Sequence, residues 1–125
     1  MTIHEFRTGN YIIDKDGIYA KIWKLNAADK FIYTEGYDSG WEVELLNPIP
    51  LTPELLEKAG FEKKKGHFNN AITMHYYNMG AISLMLGPDG IYYFFTTTSN
   101  TPLPYLHQLQ NLVFALTGKE LTINL

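Results

Sequence analysis

The sequence contains no cysteine. A chain without thiols can form no disulfide bond, no thiolate metal site and no cysteine nucleophile, so these three classes of structure and chemistry are excluded. No segment approaches the roughly 18 consecutive apolar residues that a membrane-spanning helix needs, and the N-terminal residues show no apolar run typical of a signal peptide. The sequence therefore predicts a soluble, cytoplasmic protein with no membrane partner.

Charge is also scarce, because only 18% of the residues are Asp, Glu, Lys or Arg. Acidic residues outnumber basic ones, and the formal net charge is -3. Binding to nucleic acid without sequence preference depends on a strongly basic surface, which this composition does not provide. Nucleic acid is therefore a disfavoured partner. The 125 residues, 46% of them apolar, fit a single domain with one sizeable core.

Charged residues are missing altogether from Gly90 to Gly118. Within this stretch the pattern predicts a helix from Pro104 to Thr117, with prolines suited to the first turn and Gly118 as the stop signal. At about 100° per residue, its large apolar residues fall on one side and form a core-facing stripe. They are Tyr105, Leu106, Leu109, Leu112, Val113 and Leu116.

The opposite side of this helix carries the candidate partner-binding residues, His107, Gln110, Asn111 and Phe114. Surface helices ordinarily carry Glu and Lys, so their absence indicates that water is not the usual neighbour of this side. Uncharged polar and aromatic residues are typical of interface cores. We expect a contact with another chain or molecule here. The alternative is that the N-terminal residues or the first group of strands cover this side of the helix.

The N-terminal half, residues 1–47, predicts a β meander. Short runs of β-forming residues are separated by turn signals such as Asp14 to Gly17 and Asp38 to Gly40. In the second run aliphatic residues alternate with Tyr19, Lys21 and Trp23, so the aliphatic face is expected to point inward. The four predicted strands are Tyr11 to Ile13, Ile18 to Leu25, Phe31 to Tyr37 and Trp41 to Leu45.

Two prolines, Pro48 and Pro50, end the first meander, and a short helix is predicted over residues 52–59 with Thr52 as its N-cap. Residues 61–125 then predict a lysine turn at Lys63 to Lys65, a second meander and the C-terminal helix. The predicted strands of this part are Ala71 to Asn78, Ala81 to Leu86, Ile91 to Thr97 and a final one over Leu121 to Leu125. The fold class is therefore α+β, with two antiparallel meanders, a short bridging helix and a longer C-terminal helix packed on the second sheet.

Two segments, PIPLTPELLEKAGF from Pro48 to Phe61 and YLHQLQNLVFALTGKEL from Tyr105 to Leu121, resemble a family of small uncharacterised proteins encoded by bacteria and their phages. The similarity covers most of the chain. The family has no established activity, so the resemblance implies no functional residue. It implies at most an accessory role in a phage or mobile element.

Residues with catalytic or metal-binding chemistry form no recognisable motif. The four histidines, His4, His67, His75 and His107, lack the spacing that would gather ligands around one metal ion. Glu42 and Glu44 point the same way from one strand, which is the ordinary pattern of a solvated face rather than of a carboxylate pair. We therefore expect no catalytic residue, no cofactor and no metal, although a hydrolase or transferase with an unrecognised site remains an alternative.

The one basic concentration consists of Lys58, Lys63, Lys64, Lys65 and His67. Aromatic residues nearby, Phe68, His75, Tyr76 and Tyr77, would offer stacking surfaces to a single-stranded nucleic acid. A solvated lysine turn beside core aromatics is the simpler interpretation, because the net charge is acidic. The leading hypothesis is thus a non-catalytic module that binds a protein or associates with itself, and the alternative is a nucleic-acid-binding module.

Overall fold

The computed structural model describes residues 2–68 and 72–125; the side chains of residues 67, 68 and 72–74 are outside this description. It confirms the α+β class, with two antiparallel sheets and two α-helices. The first sheet has the order β1-β2-β3-β4, with β1 at Tyr11–Ile13, β2 at Tyr19–Asn26, β3 at Phe31–Thr34 and β4 at Trp41–Glu42. The second has the order β5-β6-β7-β8-β9, with β5 at Glu62–Phe68, β6 at Ile72–Met79, β7 at Ile82–Leu86, β8 at Tyr92–Phe95 and β9 at Asn100–Leu103. The helices are α1 at Pro53–Lys58 and α2 at Leu106–Thr117, and short 3-10 helices cover Ile3–Glu5 and Val43–Leu45.

The chain divides into two compact units. The first consists of the residues up to Pro50 together with Tyr105–Glu120, and the second consists of Leu51–Pro104 with Leu121–Leu125. Most of the second unit, Leu51–Pro104, is therefore inserted between the first sheet and α2, and its last five residues follow α2. In the first unit, Pro50 and Tyr105 form an isolated antiparallel bridge, and the amide of Leu106 donates to the carbonyl of Ile49 at 2.8 Å. In the second unit, the amide of Leu51 donates to the carbonyl of Pro104 at 3.0 Å.

The core of the first unit is built from the inward face of the first sheet and the two 3-10 helices. Because side chains alternate along a strand, Ile12, Ile22 and Ile32 of the first three strands point to one side, as the sequence predicts for β2. The buried cluster contains Ile3, Phe6, Ile12, Ile22, Ile32, Val43 and Leu46. Ile18, counted with the aliphatic face in the sequence, lies in the hairpin turn instead and is exposed.

The second unit buries one face of its sheet and leaves the other exposed to solvent. Tyr77 and Tyr92 meet edge to face on the buried side, with ring centroids 5.4 Å apart. Helix α1 adds Leu55 and Leu56 to this core, and its predicted start is confirmed because the Thr52 hydroxyl accepts from the Leu55 amide at 3.2 Å. Burial raises the pKa of the Tyr92 hydroxyl well above its ordinary value, and the neighbouring Tyr77 adds to this effect.

The prediction that Lys63 to Lys65 form a turn is wrong. All three lie in strand β5, where Lys63 pairs with Tyr77, Lys64 with Tyr76 and Lys65 with His75. A strand at the edge of a sheet has one neighbour only, and lysine side chains there reach water from either face. For this reason β5 lacks the alternation of apolar and polar residues by which half-buried strands are recognised.

Helix α2 belongs to the first unit, where its polar side meets the N-terminal segment. It contacts β1. Leu106, Leu109 and Val113 of its predicted stripe are buried, whereas Leu116 is 53% exposed. The helix ends where expected, with Gly118 in the left-handed conformation at φ +72°.

Two other strand predictions need correction. The predicted fourth strand is short, because the chain turns into a 3-10 helix at Val43 after two residues of β4. Leu121 and Ile123 are buried as a strand pattern would require, yet in the part of the chain that the structure describes the terminal residues 121–125 form no strand. Ala71, the predicted first residue of the strand now seen at β6, lies outside the described residues.

Candidate binding surfaces

The side of α2 that carries the candidate residues is covered by the chain's own N-terminal segment, residues 4–11. The Gln110 side chain accepts a hydrogen bond from the Tyr11 amide at 2.9 Å and donates to the Gly9 carbonyl at 3.0 Å. Its carboxamide therefore pairs with the free edge of β1 in the way that a neighbouring strand would. Both backbone groups are satisfied, and Gln110 is only 1% exposed.

Asn111 continues the same contact one residue further along the helix. Its oxygen accepts from the Asn10 side chain at 2.9 Å and from Arg7 Nε at 3.2 Å, and its nitrogen donates to the Glu5 carbonyl at 3.2 Å. These bonds join residues about a hundred positions apart in sequence. Asn111 thus holds the N-terminal segment on the helix.

His107 is fully buried between two aromatic rings. The Phe6 ring centroid lies 4.5 Å from the imidazole, and the Tyr105 ring stacks on it at 5.9 Å. Neither ring nitrogen has a hydrogen-bond partner among the residues that the structure describes, and the Glu5 carboxylate is 4.0 Å from Nε2. Burial lowers the pKa of His107, and the nearby Glu5 opposes this effect. A buried, neutral imidazole that forms no hydrogen bond to a hydroxyl group is typical of a residue that packs in the interior.

Phe114 is the one candidate residue that is classed as exposed. Its side chain is 40% accessible, and the Arg7 guanidinium lies 4.4 Å above one face of its ring. Arg7 is held in turn by a two-pronged ion pair with the carboxylate of Glu120. The four candidates therefore do not form one exposed surface: His107 and Gln110 are buried and Asn111 is half-buried, so only Phe114 presents an exposed side chain. Its role in binding a partner stays a prediction.

A second exposed surface lies on the outer face of the first sheet, and the sequence analysis did not propose it. Strand β2 has a β-bulge, because Ile22 pairs with Thr34 and Lys24 pairs with Tyr33, which leaves Trp23 without a cross-strand partner. As a result Trp23 and Lys24 both approach Tyr33: the Trp23 and Tyr33 centroids are 5.9 Å apart, and Lys24 Nζ lies 5.0 Å from the Tyr33 centroid. Side chains alternate along a strand, so Lys21 and Tyr19, two and four positions before Trp23, point to the same face of the sheet as Trp23. We refer to Tyr19, Lys21, Trp23, Lys24 and Tyr33 as the bulge surface.

The indole of Trp23 is fixed although the ring is 47% exposed. Its Nε1 donates to the Thr34 carbonyl at 3.0 Å. Gly40 leaves room for the Tyr33 ring, because a Cβ at this position would lie only 3.0 Å from it. The indole ring of Trp23 is therefore held in place before any ligand arrives. A signal for this surface was present in the sequence: a tryptophan alternates with Tyr19 and Lys21 on the polar face of a strand.

A shallow depression of about 350 Å³ lies on the exposed face of the second sheet, near the turn between β7 and β8. The Tyr93 hydroxyl donates to Asp89 at 2.6 Å, and this bond lowers the pKa of the Asp89 carboxyl and raises that of Tyr93. The hydrogen bond between Tyr93 and Asp89 therefore links two residues of the same hairpin. The lining residues are Met85, Gly87, Pro88, Asp89, Tyr93, Phe95 and Asn100.

The lysines of β5 are explained by their position at a sheet edge. Charged side chains on an edge strand prevent pairing with the edge of another sheet, and Pro102 in β9 occupies the opposite edge. Of the aromatic residues that the sequence placed beside the lysines, Tyr77 is buried, and the side chain of Phe68 lies outside the described residues, as does that of His67 in the basic group. Nucleic-acid binding through Lys63–Lys65 stays a prediction.

Across residues 2–68 and 72–125, no group of three or more His, Asp or Glu side chains is placed to hold a metal ion. Within the same residues, no helix is both long and apolar enough to cross a membrane. No family model, curated protein or solved structure matches the chain. The resemblance to the family of bacterial and phage proteins therefore stays a prediction.

Proposed function

We propose that the protein is a non-catalytic module that binds another protein chain, or a second copy of itself, through the C-terminal end of α2. The observation that carries this proposal is Phe114, a large aromatic side chain exposed on an uncharged helix. Aromatic residues are enriched in interface cores and charged residues are depleted there. An accessory role in a phage or mobile element and a cytoplasmic location belong to the same proposal.

The geometry of Phe114 suits an anchor residue. Arg7 stacks on one face of its ring and Glu120 fixes Arg7, so the ring loses little conformational freedom on binding. Arginine and aromatic residues are also the types most often found to dominate binding energy. Each residue from Phe114 to Gly118 is exposed, and Leu116 is a second exposed apolar residue on the other side of the helix. A partner that covers the Phe114 side of this turn would remove its ring from water.

The experiment compares Phe114→Asp with the wild-type chain by sedimentation velocity over a range of concentrations and by capture of proteins from the native host. We expect the variant to shift towards monomer or to lose a captured partner, while its melting temperature stays close to that of the wild type. Phe114→Ser is a second variant, because an aspartate could form a new ion pair with Arg7. Ile18→Asp is the matched control, since Ile18 is an exposed apolar residue in the β1–β2 turn.

The proposal is wrong if Phe114→Asp and Phe114→Ser leave both the sedimentation profile and the captured proteins unchanged. It is also wrong if Ile18→Asp changes them as much as the Phe114 variants do, because the effect would then follow from general surface polarity.

A further inference from the structure

The bulge surface combines exposed aromatic rings with lysine ammonium groups, and we propose that it binds single-stranded nucleic acid. This site is separate from Phe114 and does not depend on the function proposed above. It differs also from the lysines of β5, which belong to the second unit. The argument rests on three features of the surface: the bulge, the exposed ring of Trp23 and the spacing of the lysines.

The bulge places chemically different groups on the same face of one strand. In a regular strand, Trp23 and Lys24 would point to opposite faces of the sheet. Because the extra residue disturbs the alternation, both side chains lie next to Tyr33. An aromatic ring and a cation are thereby brought together at the sheet surface, an arrangement that suits the base and the phosphate of one nucleotide.

Trp23 supplies the stacking platform. Its ring is 47% exposed, and the hydrogen bond to the Thr34 carbonyl fixes the orientation of the indole. Tyr19 is equally exposed and lies four residues earlier on the same face, about 13 Å away at the rise of a strand. Every base has a π face, so such platforms bind single strands with little sequence preference.

Lys21 and Lys24 supply the charge complementarity. Lys21 lies between Tyr19 and Trp23 along the strand, and Lys24 lies over Tyr33. Among the residues that the structure describes, neither ammonium group forms an ion pair with a carboxylate. Glu35 lies across the sheet from Lys21, where its amide donates to the Lys21 carbonyl at 2.8 Å. Two lysines interleaved with three aromatic rings fit a ligand that alternates anionic and planar groups, as the phosphates and bases of a single strand do.

The net charge of -3 limits the electrostatic part of this binding but leaves the stacking part unaffected. The affinity should therefore depend weakly on salt. With two phosphate contacts at about -0.7 each, the slope of log K against log salt concentration is expected to be about -1.4. Proteins with strongly basic sites show much steeper slopes.

The test measures fluorescence anisotropy of a labelled oligothymidylate, roughly 10 nucleotides long to match a single binding site, with the full-length chain at several salt concentrations. We expect saturable binding by the wild type with the shallow slope given above. Trp23→Ala should weaken it at least about fivefold, as expected for the loss of one stacked base, and Trp23→Phe should retain most of it. Lys24→Gln, which leaves the core untouched, should weaken binding and reduce the salt slope by about 0.7.

Two matched controls separate the bulge surface from other aromatic residues of the first sheet. Lys15 also lies over an aromatic ring, 5.3 Å from the centroid of Trp41, and Tyr37 is as exposed as Trp23. Lys15→Gln and Tyr37→Ala should bind the oligonucleotide like the wild type.

Absence of binding by the wild type at low salt overturns the proposal. So does equal weakening by Lys24→Gln and Lys15→Gln, because binding would then follow net charge alone. If the chain binds no oligonucleotide and Trp23→Ala instead abolishes capture of a protein, the bulge surface is a protein interface and the proposal is likewise wrong.

Discussion

At the scale of single residues, Thr34 connects the two tryptophans of the chain. It is fully buried, its carbonyl accepts from Trp23 Nε1, and its hydroxyl accepts from Trp41 Nε1 at 3.1 Å. Trp23 is exposed and Trp41 is half-buried against the core of the first unit. One threonine therefore fixes both a surface ring and a core ring.

We expect Thr34→Val to lower the free energy of unfolding by about 1–2 kcal/mol, because the Trp41 indole loses its acceptor while the shape of the side chain is kept. Urea unfolding measures this change. A double-mutant cycle with Trp41→Phe isolates the hydrogen bond, and a coupling energy of about 1 kcal/mol is expected. A coupling energy of zero would show that the bond adds no stability. The Trp23 bond is to a backbone carbonyl and should persist.

His107 gives the second prediction at this scale. Burial lowers its pKa in the folded state, so the unfolded chain binds a proton more readily than the folded chain. Its contribution to stability is therefore complete above the unfolded pKa of about 6.5, and it is lost as the pH falls from there through the lower folded pKa. Chemical unfolding between pH 8 and pH 5 should show the wild type losing stability on acidification.

His107→Phe is the matched variant, because it keeps an aromatic ring between Phe6 and Tyr105 and removes the titrating group. Its stability should depend less on pH over the same range. An equal loss of stability in both proteins on acidification would assign the effect to groups other than His107.

At the scale of elements, the strongest signals in the sequence identified the elements correctly, and the partners of those elements were harder to predict. The helix over Pro104 to Thr117 was confirmed as Leu106–Thr117, because apolar periodicity and the Gly118 stop are local properties. Its contact with the N-terminal segment is made by Gln110 and Asn111, whose partners lie about a hundred residues away. No local pattern carries that information.

The same reasoning explains why the sequence analysis did not predict strands β5 and β9. Strand β9 contains Pro102, a residue that argues against a central strand and is tolerated at an edge. Strand β5 is rich in lysine for the same positional reason. The bulge at Trp23 shifts the alternation by one residue, and a pattern of period two does not show where such a shift occurs. Edge position and register are properties of the sheet as a whole.

Gln110 leads to a prediction for the contact between α2 and β1. Gln110→Leu should cost roughly 2–4 kcal/mol of stability, because the Tyr11 amide and the Gly9 carbonyl both lose a partner. Thermal or urea unfolding measures the cost, and hydrogen exchange at the Tyr11 amide should become faster. Gln108→Ala is the control on the same helix, since Gln108 is half-buried and accepts one bond from the Tyr105 amide. Equal costs for the two variants would contradict the strand-like role of Gln110.

At the scale of the whole molecule, charge is distributed unevenly along the chain. The second unit contains four lysines and four acidic residues, so the entire net charge of -3 belongs to the first unit. Three of those lysines lie on the edge strand β5. Without net charge to keep copies of the second unit apart, the protection of its sheet edges depends on where its lysines are placed.

We expect the double substitution Lys63→Val and Lys65→Val to promote association through β5 while the second sheet stays folded. Light scattering during incubation near physiological salt measures this, and size-exclusion chromatography identifies the species. The control is Lys58→Val, which removes one lysine at the end of α1 without changing the edge strand. If the double variant stays monomeric under conditions in which the wild type is monomeric, edge protection by these lysines is not required.

The insertion of the second unit has a consequence for engineering. The chain leaves the first unit at Pro50 and returns at Tyr105, and these two residues are bridged, so the two ends of the insertion point are adjacent. An unrelated domain whose own termini lie close together could be grafted between them with short linkers, since the junction imposes no long span. The first sheet and α2 would then serve as the host scaffold.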